Sequence, residues 1–174
     1  MKSFPSQITL IGMSGVGKSS IGKSVASQIS YNFIDTDRLI ETHINKSITL
    51  FIQQNSENAF LDVEEQCVLN TQFPNNSVIA TGGSMIYSDI AIKKLSSSGP
   101  IILIHDTIEN ILRRTPSLTN RGIINPTATT IPKLYQERMP LYKKYATHKI
   151  TLSYPFHLKN ETKKLIDLLG TIHS

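Results

Sequence analysis

The run Gly12-Met13-Ser14-Gly15-Val16-Gly17-Lys18-Ser19-Ser20 restricts this chain more than any other feature. Glycine, four residues, then glycine-lysine-serine is the spacing of a phosphate-binding loop. It stands where that mechanism needs it, directly after the β-branched stretch Gln7–Ile11 and at the start of an amphipathic stretch beginning at Lys18. Backbone N–H groups and a helix N-terminus would then converge on a polyphosphate, and glycine would keep Cβ atoms out of its path. Lys18 is expected to bridge the β- and γ-phosphates, and the Ser19 hydroxyl to ligate Mg²⁺.

A strand–loop–helix start predicts an α/β chain. Short β-branched runs recur, separated by stretches with three- and four-residue apolar spacing, the pattern of a mainly parallel sheet covered on both faces. Five strands are expected at Gln7–Ile11, Asn32–Asp35, Ser77–Ala80, Pro100–His105 and Lys149–Leu152. Helices are expected at Lys18–Ser30, Asn58–Gln72, Thr107–Arg114, Ile131–Tyr145 and Leu158–Leu169. The span Thr115–Thr130 holds Pro116, Gly122 and Pro126 with no apolar period, and is expected to be a mobile lid. With 174 residues, 39% of them hydrophobic, one domain over 1–174 is expected.

Asp35-Thr36-Asp37 follows the second strand, at the sheet edge where open α/β folds bind ligands. Residues two apart in extended chain point the same way, so both acids would face the phosphate site, one toward metal-bound water and the other toward a substrate hydroxyl. The competing reading of Asp37 is a helix cap.

Composition narrows the partners. The net charge of +5 is spread in pairs such as Lys93/Lys94 and Lys143/Lys144, with no cluster of five or more basic residues, so a nucleic-acid partner is not expected while an anionic ligand is. The apolar stretch Ile8–Ile11 stops at Gly12, too short for a signal peptide, and nothing approaches a membrane span. The single cysteine, Cys67, allows no internal disulfide. A cytoplasmic monomer is expected.

Further motifs complete the pattern: Ala80-Thr81-Gly82-Gly83 after the third strand, Arg114 with Arg121 seven residues on, and Arg138-Met139-Pro140-Leu141-Tyr142. Together with the phosphate loop and the acidic pair, they make the sequence similar to the shikimate kinase family over nearly its whole length. The resemblance implies a three-layer α/β/α P-loop kinase fold with a five-stranded parallel sheet and a mobile lid. It also implies ATP-dependent phosphorylation of a small, anionic, hydroxylated substrate. Residues 12–20 would bind ATP with Mg²⁺, held by Ser19 and Asp35. Asp37 would contact the substrate hydroxyl as its base, and Arg121 would close on the phosphates with the lid. Arg114 would lie against adenine. Arg138, Gly82 and Gly83 would hold the substrate, with Arg138 on its carboxylate.

Two positions depart from the family. Leu61, in Phe60-Leu61-Asp62-Val63-Glu64, stands where the family has a carboxylate-gripping arginine that Glu64 orients. Without that partner, Glu64 would repel an anionic substrate or take up a proton. Ser84 replaces a third glycine, and a positive φ there would cost about 1–2 kcal/mol. Three readings therefore stand: shikimate as substrate, a different polyol or hydroxy acid, or a nucleotide-binding regulatory domain that no longer catalyses.

Overall fold

A computed structural model describes residues 4–116, 123 and 130–172. The strands β1 (Gln7–Ile11), β2 (Asn32–Asp35), β3 (Ser77–Ala80), β4 (Ile101–His105) and β5 (His148–Thr151) pair in parallel in the order β2-β3-β1-β4-β5. The helices are α1 (Lys18–Ile29), α2 (Thr36–Ile44), α3 (Ile48–Gln54), α4 (Glu57–Asn70), α5 (Asp89–Ser96), α6 (Ile108–Arg114), α7 (Ile131–Tyr145) and α8 (Leu158–Leu169).

Strand alternation builds the three layers. Ile8 and Leu10 face Ile21 and Val25 of α1 and Leu165 and Leu169 of α8. Ile11 and Ile79 face the other way, against Val68 of α4, Ile92 and Leu95 of α5, and Tyr142 of α7. Each fully buried aliphatic side chain contributes about 1.5–3 kcal/mol, so continuous apolar strands are worth keeping only between two covering layers.

All five expected strands are present, with small shifts. β4 begins at Ile101 because Pro100 has no N–H to give the ladder, although its carbonyl still accepts from the Thr9 N–H at 3.0 Å. β5 lies one residue earlier than expected, and Leu152 only extends it, its N–H donating to the His105 carbonyl at 2.9 Å.

The sequence reading lacked α3 and α5, and for α2 it had a start at the acidic pair but no range. Each opens on a side-chain cap: Asp35 for α2, the Ser47 hydroxyl for α3 and the Ser88 hydroxyl for α5. A smaller apolar cluster of Ile40, Phe60 and Cys67 joins α2, α3 and α4. Among the described residues, no helix is long and apolar enough to cross a membrane. The expected lid falls mostly on residues 117–122 and 124–129, outside the described residues.

Candidate active site

β1 delivers the chain into the phosphate loop. Gly12 has φ 143°, and a Cβ there would strike the Ile104 carbonyl, so only glycine fits against β4. Gly17, at φ 111°, caps α1 without any side-chain hydrogen bond, which leaves the first N–H groups of the helix available to an anion. Met13 and Val16 are buried in the core, so their contribution to a ligand is through the main chain.

The Lys18 ammonium donates to the Gly12 carbonyl at 2.7 Å and the Met13 carbonyl at 3.0 Å. Burial lowers its pKa to about 8, against the opposing pull of Asp37 and Asp35. Lys18, Ser14, Gly15, Ser19 and Ser20 line a cavity of about 740 Å³, with Asp37 on one wall and Arg114 on another.

The acidic pair meets the loop by a route other than strand alternation. α2 starts at Thr36, so Asp37 lies in its first turn, while Asp35 caps it by accepting from the Asp37 N–H at 3.1 Å. The helix turn, not extended chain, sets Asp37 on the cavity, while Asp35 meets the loop through Ser19. The cap is Asp35, which leaves the Asp37 carboxylate for other work. Burial first, and then the Asp35 charge, push the pKa of Asp37 up to about 6.

The other oxygen of Asp35 accepts from the Ser19 hydroxyl at 2.7 Å. A hydroxyl and a carboxylate this close are hard oxygen donors of the kind Mg²⁺ takes when substrate phosphates and water supply the rest, so the residues fit that ion. Among the described residues, no group of three or more His, Cys, Asp or Glu could hold a metal by itself.

Beyond Asp37 the cavity narrows to a recess of about 40 Å³ lined by Ser14, Ile48, Phe60, Gly82, Gly83, Ser84, Ile123 and Arg138. Arg138 is fully buried. Its Nε donates to the Tyr87 hydroxyl at 3.2 Å, and its guanidinium lies 5.2 Å from the centre of that ring. A Cβ on Gly83 would approach Arg138 Nη1 to 3.1 Å and the Ser14 hydroxyl to 2.6 Å, so glycine is what lets the loop pass. The Tyr142 hydroxyl donates to the Gly83 carbonyl at 2.7 Å and fixes the same loop from α7.

The two departures behave differently from expectation. Ser84 has φ −88°, an ordinary right-handed conformation, so no glycine is needed there and the expected strain does not arise. Its buried side chain lines the recess beside Gly83 instead. Leu61 packs beside Ile40 and Phe60, and it is Phe60 from this pair of neighbours that lines the recess. Glu64 is buried, and desolvation raises its pKa to about 8, as expected for a carboxyl without a charged partner.

Arg114 ends α6 at the outer wall of the larger cavity. Asp106, buried just after β4, holds its Nη1 at 2.6 Å, and the Phe156 ring lies 5.1 Å beneath the guanidinium. A clamped, planar cation is a suitable surface for a nucleotide base. Asp106, Phe156 and Tyr87 were absent from the sequence reading, and Tyr142 stood in it only as the end of a motif, without a role of its own. The Asp106, Asn110, Arg114 spacing of four was the available signal, and Asn110 Nδ2 does donate to Asp106 at 2.8 Å. Arg121 lies outside the described residues.

A family model described as shikimate kinase matches residues 14–163. The shikimate kinase of Clostridium botulinum is 36% identical over 162 residues, covering 92% of this chain and 96% of that one. That of Thermodesulfovibrio yellowstonii is 36% identical over 140 residues, covering 79% and 80%. Among solved structures, the fold is similar to a shikimate kinase from Acinetobacter baumannii in complex with shikimate, with a TM-score of 0.84 and 24% identity over 96% of this chain and 93% of that one.

Proposed function

Because this chain belongs to the shikimate kinase family, we propose that it transfers the γ-phosphoryl group of ATP to a hydroxyl of shikimate, giving shikimate 3-phosphate and ADP. The observation that carries the reading is a pair of adjoining cavities that share Asp37, one holding Lys18 and the phosphate loop and the other the buried guanidinium of Arg138. Phosphoryl transfer asks little covalent chemistry of a protein. It asks for alignment and for charge where charge develops.

The loop N–H groups and the start of α1 would cradle the phosphates. Lys18 would exchange its loop carbonyls for β- and γ-phosphate oxygens and offset their charge. Ser19 and Asp35 would hold Mg²⁺, which supplies further neutralisation of the polyphosphate. Arg138 would take the substrate carboxylate as a planar fork, leaving the hydroxyl beside Asp37. Asp37 would accept the hydroxyl proton as the new O–P bond forms and the bond from Pγ to the β–γ bridging oxygen breaks, with ADP as leaving group. Arg114 would lie against adenine, and Arg121 would add its charge at the phosphates. We take residues 1–174 as one catalytic unit acting as a cytoplasmic monomer, a setting that suits a chain with a single cysteine.

A second substrate class remains because of Leu61. Its apolar packing leaves the recess without the arginine that the family places there, which favours a hydroxylated acid or polyol with a weaker demand for charge. A coupled assay of ATP consumption with and without shikimate separates the two. Stimulation by shikimate is expected, and none at millimolar concentration would overturn the assignment.

The clamp on Arg114 gives its own prediction. Asp106→Asn should raise KM for ATP about tenfold while leaving kcat within about threefold, because it loosens a charge-assisted bond remote from the transferring phosphorus. A matching loss in kcat would place Arg114 nearer the reaction than the base.

A further inference from the structure

Glu161 is fully buried, lines neither cavity of the cleft, and takes part in no step of the transfer. It stands near the start of α8, and its Oε1 accepts from the Ser153 N–H at 3.1 Å, just past β5. Its Oε2 lies 3.2 Å from the Lys164 ammonium, which also donates to the Ser153 hydroxyl. Ser153 is thus gripped twice from α8, at its main chain and at its side chain. A buried carboxylate carries a desolvation cost that a neutral turn would avoid, so what Ser153 leads into bears on why the acid is there.

Ser153 opens the connection from β5 to α8, and its two aromatic residues each lie under one of the arginines that end α6. Arg113 is 5.6 Å from the centre of the Tyr154 ring, and Arg114 is 5.1 Å from that of Phe156. The Phe156 ring also abuts the phosphate loop, since a Cβ on Gly17 would lie 3.9 Å from it. Asp106 holds Arg114 at its edge and Phe156 supports its face. An edge contact alone leaves a guanidinium free to pivot about it, and the ring removes that freedom.

We propose that Glu161 is a positioning residue for the nucleotide base. Through Ser153 it sets the connection that seats Phe156 between Gly17 and Arg114, and so fixes the spacing from the phosphate site to the surface on which the base lies. The proposal rests on the reading of Arg114 as the partner of the base. It concerns nucleoside di- and triphosphates, whereas a bare polyphosphate would need only the loop N–H groups and Lys18.

That contrast supplies the test, which needs no second substrate. Calorimetric titrations with ADP and with inorganic tripolyphosphate, both with Mg²⁺, give a ratio of affinities that reads the base subsite and cancels damage to the phosphate loop. Glu161→Met should lower ADP affinity by about tenfold, the size of a lost charge-assisted bond, and tripolyphosphate affinity by less than about twofold. Glu161→Gln keeps an oxygen for the Ser153 N–H and should hold the ratio within about threefold of wild type. Phe156→Leu keeps an apolar contact without the ring and should repeat the loss, and combined with Glu161→Met it should fall no further than the larger single loss. Should Glu161→Met not fold, the double variant Glu161→Met/Lys164→Met replaces the whole pair by apolar side chains of similar volume, a change often neutral for stability, and is read the same way.

Equal losses for both ligands would show a merely structural role, and an unmoved ratio would show none. Either overturns the proposal, as do additive losses with Phe156→Leu or a failure of Glu161→Gln to restore the ratio. Arg114→Ala separates the two levels. If it leaves the ratio unmoved, the reading of Arg114 falls and the proposal with it; if it lowers the ratio while Glu161→Met does not, the proposal alone falls.

Discussion

Lys18→Met lowers kcat by about a thousandfold, the loss expected when a preorganised cation is removed from the charge that spreads over a transferring phosphoryl group. The structure gives the reason that no neighbour substitutes. Lys18 is buried and held by two carbonyls of its own loop, and its charge is already costly enough that its pKa falls to about 8. A cation kept at that cost is available where a phosphate arrives, with little water to displace. Lys18→Arg should not restore activity, since the guanidinium is too large and too planar for a compact site built around Gly12 and Met13. Steady-state rates of ATP consumption measure the effect, with thermal melts of each variant to show that the loop still folds. A loss below about tenfold would mean that Lys18 is structural.

Asp37→Asn is expected to be nearly as severe, at about a hundred- to ten-thousandfold in kcat, because the amide keeps the shape and loses the proton acceptor. The wild-type pH profile carries the same assignment. Burial and Asp35 raise the pKa of Asp37 to about 6, so the base is ionised above that value and lost as pH falls through it. An acidic limb in kcat/KM near pH 6, flattened in the residual activity of Asp37→Asn, is the expected pair of observations. An unchanged limb in the variant would assign it to another group.

Much of this was legible in the residues. Glycine spacing, a lysine and a serine state the phosphate loop outright, because few other backbones need those residues in that order. The five strands were readable because a sheet covered on both faces needs continuous β-branched runs. α3 was not, since its seven residues include none that is buried. α2 shows little period because its buried positions are only Thr36 and Ile40. Backbone angles were the other blind spot. Glycine at a family position invited the inference that Ser84 would be strained, and only the coordinates give its φ of −88°. Arg114 was legible as a cation, but its clamp joins Asp106, eight residues before it, to Phe156, which arrives from beyond β5.

The strand order places β3 between β1 and β2, so the glycines at its end form the floor shared by the phosphate loop and the acidic pair. A single added methyl at Gly82 collides with two carboxyl groups, and one at Gly83 with a hydroxyl and a guanidinium. A larger residue at either glycine would have to displace side chains that line the cleft. Room for a different substrate is then set from the sides, at Ile48 and Phe60, and Leu61 is the neighbour of Phe60.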